Sequence, residues 1–123
     1  MNRVFINSEN VIEIHVVGDQ TVESVREMGD MAQNFILLLR SKSLPVYIID
    51  NIKLLGETDS RVRQVVSHYA KMLTFDQLAL VGDGSSTMLF GTNLMLRAIG
   101  KSNVRYFSSL DTAMIWFCLE PKD

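Results

Sequence analysis

Residues 77–107 constrain the fold of this chain more than any other stretch. The apolar run LALV at residues 78–81 is typical of a strand that is covered on both faces. A turn containing glycine and serine follows, and apolar residues between Met88 and Ile99 then recur at helical spacing. VRYF at residues 104–107 is typical of another strand. Strand, helix and strand at this length predict two parallel neighbours joined by a right-handed crossover.

The remaining patterns extend this unit into one α/β domain spanning residues 1–123. A polar turn between two short apolar runs near the start predicts an antiparallel hairpin. The order β-β-α-β-α-β-α-β-α predicts a mixed, mostly parallel five-stranded sheet with helices packed against it. The predicted strands are residues 3–7, 11–17, 46–50, 78–81 and 104–107, and the helices are near residues 21–41, 58–73, 86–99 and 110–120.

Two local features refine these helices. The run FILLL at residues 35–39 is apolar on all sides, so we expect this turn of the first long helix to be buried on several sides. Ser108 and Asp111 have the spacing of a capping box at the start of the last helix.

The second strand alternates apolar and polar residues, as a strand at the edge of a sheet does.

Composition and charge exclude several function classes. The chain is 47% hydrophobic with a net charge of −2 and scattered basic residues, so it carries no basic stripe for nucleic acid. The single cysteine, Cys118, excludes an internal disulfide, and we expect it to be a small packed hydrophobe. No apolar run approaches the roughly 20 residues of a membrane helix. No signal peptide is recognisable, and we expect a soluble cytoplasmic protein.

A glycine-containing turn lies between the predicted fourth strand and the following helix. In open α/β sheets ligands collect at such carboxyl ends of strands, and the free N–H groups of a helix start favour anions. The turn matches neither the P-loop nor the dinucleotide fingerprint. It either contacts a ligand or is a tight turn with a serine cap. Its residues are Gly82, Asp83, Gly84, Ser85 and Ser86.

Asp50 ends the predicted third strand and Asn51 follows it. A receiver-domain phosphoacceptor is rejected, because the acidic pair and the lysine that such a domain needs are absent. The two side chains either hydrogen-bond the next loop or line the same crevice as the glycine turn, since both segments follow parallel strands. The predicted loop at residues 51–57 contains Leu54 and Leu55, whose exposure would be costly, so it folds over the core or lines a groove.

No arrangement of catalytic or metal-binding residues is visible. His15 and His68 are the two histidines, and neither belongs to a Ser-His-Asp or His-x-x-x-His pattern, so we expect surface histidines, no metal and no cofactor. Seven methionines suit core packing, or an adaptable surface for an apolar ligand or a partner helix.

The motifs of the last third resemble the SpoIIAA-like family, small α/β domains related to STAS domains. The resemblance rests on LALVGD at residues 78–83, on VRYF at residues 104–107, and on Ala113 and Trp116, which are spaced like the family's final A-x-x-W. It implies a STAS-like fold and a non-enzymatic role, in which some relatives bind partner proteins and are switched by phosphorylation of a serine. Ser60 lies near the position of that serine, without the D-S-S-G pattern, and is otherwise an ordinary first-turn residue.

We therefore expect a non-catalytic binding or regulatory module. Its crevice would contain residues 50–57, the start of the second helix and residues 82–86, and would recognise a protein partner or a small apolar or anionic ligand. The alternative is a small phosphate-ligand-binding enzyme or a cofactor carrier that uses the turn at residues 82–86. A third hypothesis is a homodimer formed through the methionine-rich helices.

Overall fold

A mixed β-sheet with helices on both faces makes up the part of the chain that the computed structural model describes, residues 1–83 and 103–119. The helix predicted between the last two strands falls outside these ranges. The elements are β1 (Arg3–Ile6), β2 (Val11–Gly18), α1 (Val22–Ser41), β3 (Tyr47–Leu55), α2 (Ser60–Met72), β4 (Gln77–Val81), β5 (Val104–Phe107) and α3 (Leu110–Leu119).

The sheet contains five strands in the order β1-β2-β3-β4-β5. β1 and β2 pair antiparallel, whereas each later neighbour pairs parallel. The predicted mixed sheet with its N-terminal hairpin is therefore confirmed. The expectation that the second strand lies at an edge is wrong, because β2 pairs with β1 on one side and β3 on the other.

The hairpin turn is stabilised by Asn7. Its Oδ1 accepts hydrogen bonds from the backbone N–H of Glu9 at 2.9 Å and of Val11 at 3.1 Å. Asn10 adopts the left-handed conformation with φ of 62°, which asparagine tolerates better than most residues. These local bonds explain why NSEN reverses the chain between β1 and β2.

Helix α1 begins with a reciprocal cap between Thr21 and Ser24. Its buried face contacts the sheet through residues such as Ile36 and Leu39, each 1% exposed. Leu37 and Leu38 are 56% and 43% exposed, so the expectation that the whole turn at residues 35–39 is buried is wrong. A helix that packs on a sheet presents one face to it, and continuous apolar sequence does not widen that face.

Helix α2 packs loosely against the sheet and closely against α1. Asp59 caps it by accepting a hydrogen bond from the N–H of Val62 at 2.8 Å, and Val62 is the one buried residue of the helix. Gly29 of α1 lies against the ring of Tyr69, and a methyl group at Gly29 would overlap that ring. The Tyr69 hydroxyl donates to Asp30 Oδ1 at 2.9 Å. The glycine therefore sets how closely the two helices cross.

Helix α3 covers the opposite face of the sheet. Ser109 Oγ accepts a hydrogen bond from the N–H of Thr112 at 3.2 Å. The predicted cap at Ser108 and Asp111 is therefore wrong by one residue, because the helix begins at Leu110. Two separate cores result, one between the sheet and α1 and α2, the other between the sheet and α3.

Candidate functional site

A cavity of about 570 Å³ lies between the sheet and helices α1 and α2. This volume falls within the range of small-molecule sites in proteins. Most of the lining side chains are aliphatic. The described residues that line it are Ile14, Val16, Gln20, Val25, Met28, Gly29, Ala32, Ile48, Asp50, Ile52, Leu55, Gly56, Thr58, Val62, Arg63, Val66, Tyr69, Ala70, Leu73, Phe75, Leu78, Leu80 and Val104.

Asp50 places a carboxyl group in this apolar lining. It lies in the middle of β3, where it pairs with Ile14 of β2 and Leu80 of β4. Successive residues of a strand point to opposite faces, so Asp50 shares the cavity face with Ile48 and Ile52. Its Oδ1 is inaccessible to solvent and has no hydrogen-bond partner among the described residues.

Burial changes the acid–base behaviour of this carboxyl group. Loss of solvation raises the pKa of Asp50 from 3.8 to about 6, against an opposing electrostatic influence of His15. An uncompensated polar atom in an apolar interior costs free energy, and native structures retain few of them. Such a group therefore marks a candidate functional site.

The interpretation of Asp50 as the end of a strand is wrong. β3 continues to Leu55, because its second half pairs with the end of β2, Val17 with Leu54 and Gly18 with Leu55. Residues 51–55 are therefore strand, where a loop was predicted. His15 and Val17 of β2 are two residues apart, whereas their partners in β3, Asn51 and Leu54, are three residues apart. β3 therefore contains a bulge with one extra residue. This extra residue turns Leu55 toward the cavity.

The structure separates four of the predicted ligand-binding residues from the cavity: Asn51, Leu54, Gly82 and Asp83. Asn51 points to the opposite face of the sheet, and its Oδ1 accepts from the N–H of Lys53 at 3.1 Å. Leu54 is 68% exposed. The buried Gly82 donates its N–H to the carbonyl of Phe107 at 3.0 Å, and Asp83 is exposed. Among the described predicted residues, Asp50 and Leu55 line the cavity. Gly84, Ser85 and Ser86 lie outside the described residues.

The junction between β3 and α2 forms one end of the cavity. Gly56 donates its N–H to the carbonyl of Gly18 at 2.8 Å, and Asp19 Oδ1 accepts from the N–H of Glu57 at 2.8 Å. A side chain at Gly56 would overlap Asp19. Gly56 and Arg63 are the exposed residues of the lining, which places the solvent-facing end at this junction.

Sequence reasoning missed several polar residues of the lining. Gln20 is 8% exposed, and its Nε2 donates to the carbonyls of Val17 at 3.1 Å and Gly18 at 3.0 Å. Arg63 Nη1 donates to the carbonyl of Thr58 at 2.7 Å. A glutamine before a helix cap and an arginine in a first turn carry no distinctive signal. Their positions become meaningful only when the helices are placed on the sheet.

The remaining candidates lie away from the cavity. Ser60 is exposed at the first position of α2. The half-buried His15 stacks on Phe5 at 5.5 Å, and its Nε2 lies 2.9 Å from Glu13 Oε1. His68 is exposed. Cys118 is also exposed, so the expectation of a packed cysteine is wrong. The described residues include no cluster of three His, Cys, Asp or Glu side chains that could hold a metal ion.

Most side chains of the described lining are aliphatic or aromatic. In addition to the Asp50 carboxyl group, four side chains carry hydrogen-bonding groups, namely those of Gln20, Thr58, Arg63 and Tyr69. Such a surface can enclose a hydrocarbon chain and bind one hydrogen-bond donor. No protein-family model matches the chain, and no curated protein matches it. Within residues 1–83 and 103–119, no helix combines the length and hydropathy needed to cross a membrane.

Proposed function

We propose that this protein is a non-catalytic binding module that holds a small, mostly aliphatic molecule between its sheet and helices α1 and α2. The observation that carries the proposal is the cavity of about 570 Å³ with its largely aliphatic lining. Protein interiors are normally packed as densely as organic crystals, so a space of this size forfeits many van der Waals contacts. A ligand would restore them.

The chemistry of the lining favours a hydrocarbon over a polar ligand. Each methylene group transferred from water to such a surface contributes roughly 0.8 kcal/mol. Phosphates and carboxylates are disfavoured here, because Asp50 would repel them once it is ionised. The anionic alternative at the glycine turn stays a prediction, since Gly84, Ser85 and Ser86 lie outside the described residues.

Helix α2 is the wall best suited to admit a ligand. Its inner residues Val65, Val66, Tyr69 and Ala70 are only half-buried, in contrast to the buried face of α1. Elements with few buried contacts are those that open at low free-energy cost. Entry would occur beside Arg63, at the solvent-facing end of the cavity.

The family resemblance supports the same class of function. A STAS-like topology would make the domain a regulatory module whose ligand changes its recognition of a partner protein. Ser60 would then be a phosphorylation site at the start of the helix that closes the cavity. A cytoplasmic location and a homodimeric state belong to this proposal as well.

Native mass spectrometry of the protein purified from its own host tests the proposal. We expect extra mass that is lost on denaturation, and a fatty or other aliphatic molecule in the released fraction. Phosphorylation of Ser60 would add about 80 Da that survives denaturation, since the modification is covalent. Calorimetric titration of the purified chain with decanol provides the complementary measurement.

Two tryptophan substitutions on α2 form a matched pair. Ala70→Trp places a large side chain in the cavity lining, whereas Lys71→Trp places it on an exposed neighbouring position. We expect Ala70→Trp to abolish retention of the ligand and binding of decanol, and Lys71→Trp to leave both unchanged. A chain that carries no ligand and binds no decanol would contradict the proposed function.

A further inference from the structure

We infer that the ligand is an aliphatic amine, and that its ammonium group pairs with the carboxylate of Asp50 inside the cavity. The inference rests on the proposed function and adds the chemistry of the headgroup. It follows from one buried oxygen atom and the groups that surround it.

The position of Asp50 leaves one carboxylate oxygen without a donor among the described residues. Asp50 lies on the central strand of the sheet, between Ile48 and Ile52 on the cavity face. Its Oδ1 is buried and has no hydrogen-bond partner among the described residues. An ionised carboxyl group only accepts hydrogen bonds, so its missing partner must be a donor. Here the ligand would supply that donor.

The charges around Asp50 favour a cationic headgroup. Among the described residues, His15 pairs with Glu13, and no lysine or arginine forms an ion pair with Asp50. The ionisable side chains that face the cavity from α2 are Arg63 and Tyr69, and the lining residues of α1 and β4 carry none. His15 acts on Asp50 from the opposite face of β2. A buried carboxylate without a cation is costly, and an ammonium group offsets that cost.

An amine fits the carboxylate of Asp50 better than an acid or an alcohol does. A fatty acid would bring a second negative charge to Asp50, and an alcohol would provide a hydrogen bond without charge. Hydrogen bonds between two charged partners are stronger than those between neutral groups. The amine is the headgroup that satisfies both the buried oxygen and its charge.

The pH dependence of amine binding follows from the titration of Asp50. Its pKa is about 6 in the free protein, so the carboxyl group is mostly ionised at pH 7.5 and mostly neutral at pH 5. Because the ammonium group binds the ionised form, the affinity for an amine falls by about tenfold between these two pH values. The affinity for an alcohol stays nearly constant.

Isothermal titration calorimetry with decylamine, decanol and decanoate tests the inference on the full chain at pH 7.5. We expect decylamine to bind at least tenfold more tightly than decanol, and decanoate to bind most weakly. In the Asp50→Asn variant the preference for decylamine over decanol should disappear. Glu27→Gln removes an exposed carboxyl group from α1 and is the matched control, which should bind all three probes like the unmodified chain.

The outcomes distinguish the inference from the proposed function. Equal affinity for the three probes, or a preference for decanoate, would overturn the amine and leave the apolar cavity as a binding site. Failure of every probe to bind would overturn both. Should Asp50→Asn not fold, the comparison of decylamine and decanol at pH 7.5 and pH 5 on the unmodified chain decides the question.

Discussion

The two faces of one sheet are filled in different ways. On the α3 face, Tyr47 stacks on Phe117 with ring centroids 5.0 Å apart, and Ala113 is fully buried. On the other face, α1 and α2 leave a cavity of about 570 Å³. Ile48 and Ile49 are adjacent in sequence and almost completely buried, yet they belong to these two different environments.

Side-chain size explains this difference. Among the described residues, α3 contributes the large rings of Trp116 and Phe117 to the core on its face of the sheet, with ring centroids 5.4 Å apart. The inner face of α2 presents the small side chains of Val62, Val66 and Ala70 to the cavity. Its one aromatic ring, that of Tyr69, lies against Gly29 of α1. One face is therefore built for stability, and the other retains space for a ligand.

Removal of a large side chain should show the difference in packing between the two faces most clearly. Phe117→Ala is expected to lower the free energy of unfolding by about 3–5 kcal/mol, because it leaves a cavity in a closely packed core. Val66→Ala enlarges a space that already exists and should cost less than about 1 kcal/mol. Urea denaturation of both variants measures the difference. Similar losses would show that the two faces are packed alike.

The charge state of Asp50 should make the cavity face depend on pH. Burial raises its pKa from 3.8 to about 6, so the folded protein binds the proton more tightly than the unfolded chain, and stability falls as the pH rises through this window. Asp50→Asn removes this effect and should increase stability at pH 7.5 by up to about 3 kcal/mol.

Chemical denaturation at pH 4 and pH 7.5 provides the measurement. The gain from Asp50→Asn should disappear near pH 4, where Asp50 is largely protonated in the folded protein. Glu27→Gln again serves as the control and should show no such pH-dependent gain. A constant difference between Asp50→Asn and the unmodified chain at both pH values would contradict the assignment.

Replacing an alanine by leucine should give a smaller effect, and one whose size differs between the two faces. Ala113→Leu inserts atoms into a filled core and should destabilise the protein by about 1–3 kcal/mol. Ala70→Leu enlarges a side chain of the cavity lining. It should change stability by less than about 1 kcal/mol and should weaken decanol binding. Thermal unfolding compares the pair. A large loss for Ala70→Leu would mean that the cavity face has no room.

Sequence patterns predict the sheet because the apolar pattern of each strand involves only neighbouring residues. The alternation of Ile12, Ile14 and Val16 and the apolar run at residues 78–81 depend on nearest neighbours along a strand. The cavity depends on how α1 and α2 pack against each other above the sheet, and their approach is set where Gly29 meets Tyr69. Contacts between such distant residues leave no periodic signal.

At Asp50 two signals in the sequence conflict. The dipeptide of Asp50 and Asn51 resembles a turn and predicts that the strand ends there. Strand alternation alone would have placed Asp50 on the same face as Ile48 and Ile52. The bulge that brings Leu55 to the cavity involves pairing with β2, and nothing in its own sequence predicts it.

The central claim is that a ligand binds on one face of the sheet and leaves the other unchanged. Isoleucine methyl NMR spectra recorded during a titration with decanol test it within a single molecule. We predict that the signals of Ile14, Ile48 and Ile52 shift together, and that the signal of Ile49 stays in place. Shifts confined to exposed methyl groups such as that of Ile115, or no shifts at all, would contradict the account.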